Sequence, residues 1–178
     1  AFIAMSAIRC PSLSWHPSES LGLTGRGGVF QLQGPSLELD PLRALLAERA
    51  QKIALTSGFQ LCASCDVQAF FVRMVGDGAV PALQLPHVDR SESYAAPPVC
   101  TCVYYLEIAN CEGGELALFE RGSDAMTPKQ IAVPCQNSMI VFPGDQLHAV
   151  LPLRQGNRVS VVINFYKAPS TPEESFDR

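Results

Sequence analysis

The alternation of apolar and polar residues changes period along the chain. GVFQLQ (28–33) alternates and predicts a strand. Asp40-Pro41 then opens a helix, since Asp caps a helix N-terminus and Pro suits its first turn. Leu42, Leu45, Leu46, Ile53 and Ala54 follow at helical spacing, and Gly58 supplies the stop. This helix is expected to lay one apolar face on a sheet. Downstream the period shortens to two. VQAFFVRMV (67–75) reads as a strand and GDG (76–78) as a turn. Further strands follow: VCTCVYYLEI (99–108), ELALFE (115–120), KQIAVP (129–134), SMIVF (138–142), LHAVLP (147–152) and RVSVVINFY (158–166). Many short strands after one helix predict a mainly β domain, a double-stranded β-helix (jelly roll, cupin-like) buttressed by an N-terminal α-helix.

Residues 1–27 are rich in Ser, Pro and Gly and predict loop with room for a short strand. The opening AFIAMSAI is short, lacks a basic leader and reads as a domain edge, not a signal peptide. No linker divides the chain. It is read as one domain, residues 1–178: support over 1–66, a jelly-roll core over 67–167 and a tail over 168–178.

With 178 residues and a net charge of −4, the composition is that of a globular domain, and no basic run suggests nucleic acid. No apolar run reaches the ~20 residues that span a bilayer. Seven cysteines, an odd number, favour free thiols in a reducing compartment such as the cytoplasm. Cys62 and Cys65 with Cys100 and Cys102 could instead form a structural zinc site, although a CxC in a strand also presents both thiols to one core face.

Against three histidines in the whole chain, PHVDRSESY (86–94) stands out. Residues i and i+2 of an extended chain share a face, so His87 and Asp89 aim into one space. By itself an HxD is more often a surface pair. A third ligand must come from another strand. His16 sits in the irregular N-terminal segment, whereas His148 starts a strand directly after a Pro-Gly-Asp turn. Two imidazoles and one carboxylate, with open positions opposite, are the ligation of non-haem Fe(II) oxygenases. Arg158 heads an apolar strand ten positions later, with Ser160 on the same face. An arginine there can hold a carboxylate in a bidentate pair, or form a structural ion pair.

HVD, VCTCVYYL, GGELALF, PGDQLHAV and GNRVSVVINFY, in this order, resemble the Fe(II)- and 2-oxoglutarate-dependent dioxygenases over about residues 67–167. Within them the chain is most similar to prolyl hydroxylases of the oxygen-sensing type. The resemblance implies that His87, Asp89 and His148 hold Fe(II) and form the catalytic centre. It implies that Arg158 clamps the distal carboxylate of 2-oxoglutarate, that Tyr105 donates its hydroxyl to the same group, and that Val103, Leu116 and Val150 wall the pocket. O2 is then the second cosubstrate and ascorbate the expected reductant. The reaction would hydroxylate an unactivated C–H bond and release succinate and CO2.

Three positions depart from the prolyl hydroxylase pattern. Met74 stands where a tyrosine is usual before the Gly-rich turn. Pro97-Pro98 occupies the place of an arginine, and Asn164 that of a tryptophan that packs on substrate. The substrate is therefore expected to be a prolyl or other residue of a protein or peptide, with a free amino acid or small molecule as the alternative. A non-catalytic binding module and a cupin-like metalloenzyme that does not use 2-oxoglutarate also remain. Segment 76–86, rich in Gly and Ala, is expected to form a lid beside the metal.

Overall fold

The computed structural model describes residues 4–7, 28–32, 40–62, 65–120 and 127–167. His16, Cys10 and the expected tail 168–178 lie outside the described residues. The described elements are β1 (Ala4–Ala7), β2 (Gly28–Leu32), α1 (Asp40–Thr56), β3 (Cys65–His87), β4 (Cys100–Gly113), β5 (Leu116–Phe119), β6 (Pro128–Ala132), β7 (Ser138–Pro143) and β8 (His148–Lys167). The mainly β architecture with one helix is the one expected from the sequence pattern.

Every strand pairing is antiparallel. One path runs β1-β7-β4-β8-β3-β2, and β5 joins β8 to the edge strand β6. β3 and β8 are long because each serves both sheets of the curled barrel. The first part of β3 pairs with the end of β8 from Cys65↔Lys167 to Asp77↔Gln155, and its last part pairs with the start of β8, ending at His87↔His148. Between them β3 advances from Asp77 to Ala82 while β8 moves only from Gln155 to Leu153. The extra residues on β3 bulge out and bend the strand.

This corrects three expectations. The GDG at 76–78 does not reverse the chain; it starts the bulge, where Asp77 Oδ1 accepts the Ala79 N–H at 3.0 Å. Segment 76–86 is a bent strand and not a loop-like lid, because backbone pairing to β8 resumes at Ala82. Likewise 147–152 and 158–166 are one strand. The bend in β8 sits at Gly156, whose φ of +98° suits glycine and whose Cβ, if present, would strike the Asn110 carbonyl.

Helix α1 packs against β3, β4 and β7. Leu46, Ala50 and Ala54 are buried there against Phe71, Tyr104, Val161 and Ile163, with Leu42 and Ile53 at the margin. Leu45 points outward instead, at 41% exposed. The buried set is i, i+4, i+8, and Leu45 lies about 100° around the helix from Leu46. Gly58, at φ +87°, follows the helix as anticipated.

Cys100 and Cys102 both face this core, and the Cys102 thiol lies 4.0 Å from the Ala50 carbonyl. Cys62 is exposed and Cys65 half-buried, with sulfurs 3.0 Å apart. Among the described residues no cluster of thiols converges as a zinc site would require.

Candidate active site

The concave face between the two sheets holds a polar site in an apolar lining. His87 and His148 are cross-strand partners at the end of the β3–β8 ladder, with ring centroids 4.4 Å apart. Asp89 lies just past the end of β3. Its Oδ1 is 3.7 Å from the Nε2 of His87 and 3.7 Å from the Nε2 of His148. Among the described residues these three are the one set of His, Cys, Asp or Glu side chains whose donor atoms converge, all within 4.8 Å of one another.

Backbone contacts orient the rings. The Nδ1 of His87 sits 2.7 Å from the Leu85 carbonyl and that of His148 2.9 Å from the Gln146 carbonyl. A carbonyl can only accept, so each Nδ1 carries a proton and each Nε2 keeps a lone pair for a metal. Burial lowers the His148 pKa below its usual 6.5, against the opposing pull of the Asp89 charge, which keeps the ring neutral. The Thr101 hydroxyl donates to Asp89 Oδ2 at 2.8 Å and so leaves Oδ1 turned to the imidazoles.

Deeper in the barrel lies Arg158, 3% exposed. It forms no ion pair among the described residues and its Nε has no hydrogen-bond partner. Its Nη1 donates to Met74 Sδ at 3.3 Å, and its guanidinium stands 5.0 Å from the Tyr105 ring centroid. The Tyr105 hydroxyl is buried without a partner. Burial raises its pKa, with Arg158 opposing, so it remains a donor at neutral pH. A buried cation beside a buried, unpaired phenol is complete only when an anion arrives. This orphaned pair fits a carboxylate, as the donor set above fits a metal.

One cavity joins both parts. It is lined by His87, Asp89 and His148 at one end and by Arg158, Ser160, Val103, Leu116 and Val150 among its other walls. The structure thus brings these residues together, while Tyr105 stands beside Arg158 and is not among the residues that line the cavity. Ser160 Oγ sits 3.5 Å from the Val72 carbonyl, within the same lining. Sequence reasoning missed Thr101, Phe70, Gln84 and Val162 as neighbours of the site. Thr101 was open to discovery, because it precedes Val103 by two positions and so shares its strand face.

A family model described as the 2OG-Fe(II) oxygenase superfamily matches residues 78–166, half of the chain. The chain belongs to this superfamily. Membership implies Fe(II), 2-oxoglutarate and O2. Among solved structures, the oxygenase shares its fold with a 2OG-Fe(II) oxygenase family oxidoreductase from Burkholderia pseudomallei (17% identity, TM-score 0.56, 78% of this chain and 65% of that one). It is similar to a Pseudomonas putida prolyl-4-hydroxylase (20%, 0.52, 79% and 70%). It is also similar to the viral collagen prolyl hydroxylase of Paramecium bursaria Chlorella virus-1 (16%, 0.57, 79% and 80%). None of the curated proteins compared with the chain matches it.

Proposed function

We propose that the protein is a Fe(II)- and 2-oxoglutarate-dependent dioxygenase that hydroxylates an unactivated C–H bond on a residue, prolyl or other, of a protein or peptide. The observation that carries this reading is the pairing of a three-donor metal site with Arg158, buried in the same cavity without an ion pair among the described residues, and with Tyr105 buried beside that guanidinium. The prolyl hydroxylases among its structural neighbours support the substrate class.

His87, Asp89 and His148 would hold the metal through two Nε2 atoms and Oδ1. Fe(II) bound there would supply, with O2 and 2-oxoglutarate, the oxidising chemistry that hydroxylates carbon and releases succinate and CO2. The protein's own contribution is placement. Arg158 offers a planar fork to the distal carboxylate and Tyr105 adds one O–H donor. Val103, Leu116 and Val150 exclude water from the cosubstrate chain. Thr101 fixes the rotation of Asp89, and the Leu85 and Gln146 carbonyls fix the two rings.

The direct test is succinate release from 2-oxoglutarate in air with Fe(II) and ascorbate, comparing wild type with His87→Ala, alongside 2-oxoglutarate binding to the metal-loaded protein. Metal- and His87-dependent succinate is the expected result. Neither succinate nor 2-oxoglutarate binding would leave a jelly-roll binding module.

A further inference from the structure

Two cysteines meet at the foot of β3. Cys62 is exposed, and Cys65, the first residue of the strand, is half-buried. Their sulfurs lie 3.0 Å apart, so one thiol donates to the other. The Cys65 N–H also donates to the Cys62 carbonyl at 3.1 Å. A bond between residues three apart holds their Cα atoms within ~7 Å, the limit of what a disulfide bridges. The sulfurs need to approach by only about 1 Å to reach the ~2.05 Å bond.

Cys100 and Cys102 are placed differently. Both are fully buried in the core beneath α1, where no external disulfide reaches them. The hydrogen bond with Cys100, together with burial, pushes the Cys102 pKa well above its usual value, so it stays a thiol. Cys65 pairs with Lys167 on one edge of β8 and Cys100 with Phe165 on the other. Two strand spacings, ~9.6 Å, therefore separate Cys65 from Cys100, beyond the reach of a disulfide.

The first residues of β3 also hold the segment that follows Asp89. Asp66 Oδ2 accepts the Tyr94 hydroxyl at 2.9 Å, and the Gln68 carboxamide donates to Ser91 Oγ at 3.1 Å. The end of a ladder opens more readily than its middle, so these two bonds are only as firm as the strand end that carries them.

We infer that Cys62 and Cys65 are a reversible redox pair, closed by exchange with a small disulfide from solvent, and that the closed bond fastens the end of β3 on which residues 91–94 rest. This stands on the residues just named and does not depend on the oxygenase reading. Cys62 loses its proton and attacks one sulfur of the incoming disulfide, whose other sulfur leaves as a thiolate and takes up a proton. Cys65 then loses its proton and attacks the Cys62 sulfur of the mixed disulfide, and the second thiol departs with a proton. Two protein thiols are oxidised and the incoming disulfide is reduced to two thiols. Burial and the hydrogen bond with Cys62 raise the Cys65 pKa, which suits the resolving role and leaves the first attack to the exposed Cys62. A cross-link removes open conformations available to the reduced chain, so the oxidised strand end frays less.

The test treats the folded protein with oxidised glutathione, then alkylates and digests it. Both cysteines fall in one tryptic peptide, residues 53–73. Wild type should yield that peptide short of two hydrogens and closed to alkylation, and excess reduced glutathione should restore both thiols. Cys65→Ser should stop at a glutathione adduct on Cys62. Amide hydrogen exchange at 91–94 should slow at least about twofold in oxidised wild type, and not in Cys62→Ser treated alike. The inference is overturned if both wild-type thiols stay open to alkylation, if the glutathione adduct on Cys62 persists in wild type, or if Cys62 pairs with another cysteine. Unchanged exchange at 91–94 in the oxidised protein overturns it equally. The wild-type measurements decide the matter even where a variant fails to fold.

Discussion

Thr101 Oγ1 donates to Asp89 Oδ2 at 2.8 Å, from a strand that carries no metal donor of its own. The bond pins one carboxylate oxygen so that the other faces both imidazoles. Thr101 is fully buried. Thr101→Val keeps the shape and removes the donor. Affinity for a divalent metal should fall about tenfold or more, as is usual when a group that orients a ligand is lost. Metal titration of the folded variant checks this, and an unchanged affinity would make the contact incidental.

Arg158 should not tolerate lysine. A point charge cannot reproduce the planar fork, and Lys would leave both the cosubstrate carboxylate and Tyr105 poorly served. The 2-oxoglutarate concentration needed for half-maximal succinate release should rise at least tenfold in Arg158→Lys. An unchanged requirement would place the cosubstrate elsewhere.

Acid should weaken the metal-free protein through His148. Its folded pKa lies below the usual 6.5 because burial penalises the charged ring. The unfolded chain therefore binds the proton more readily. Stability is full above about 6.5 and is lost as pH falls through the lower, folded value. Urea unfolding between pH 7 and pH 5 should show this loss, and His148→Gln should flatten the profile. The same slope in the variant would assign the acid sensitivity to other groups.

The helix should matter for stability and not for chemistry. Leu46 is fully buried between α1 and the sheet, in a cluster separate from the cosubstrate cavity. Leu46→Ala should destabilise by about 2–5 kcal/mol through lost contact and a residual cavity. The affinity for 2-oxoglutarate in the remaining folded protein should match wild type. A parallel loss of affinity would show that the sheet relays the strain to the site.

The sequence by itself determined the element types, because period two and period 3.6 are local and visible residue by residue. Asp40-Pro41 and Gly58 marked the helix, and alternation marked β4, β5 and β7. It also pointed to the residues of the candidate site, since His, Asp, His and Arg are rare enough in an apolar barrel to stand out. Tertiary structure alone decided how these residues meet. The bulge after Asp77 lets β3 and β8 run through both sheets, and this long-range pairing sets His87 opposite His148. No local signal separates a bent strand from a strand, a turn and a loop, so 76–86 read as a lid. The same holds for the Arg158 Nε, buried without a hydrogen-bond partner. Whether a buried polar atom finds a partner depends on every neighbour the fold brings to it, and only packing reveals that.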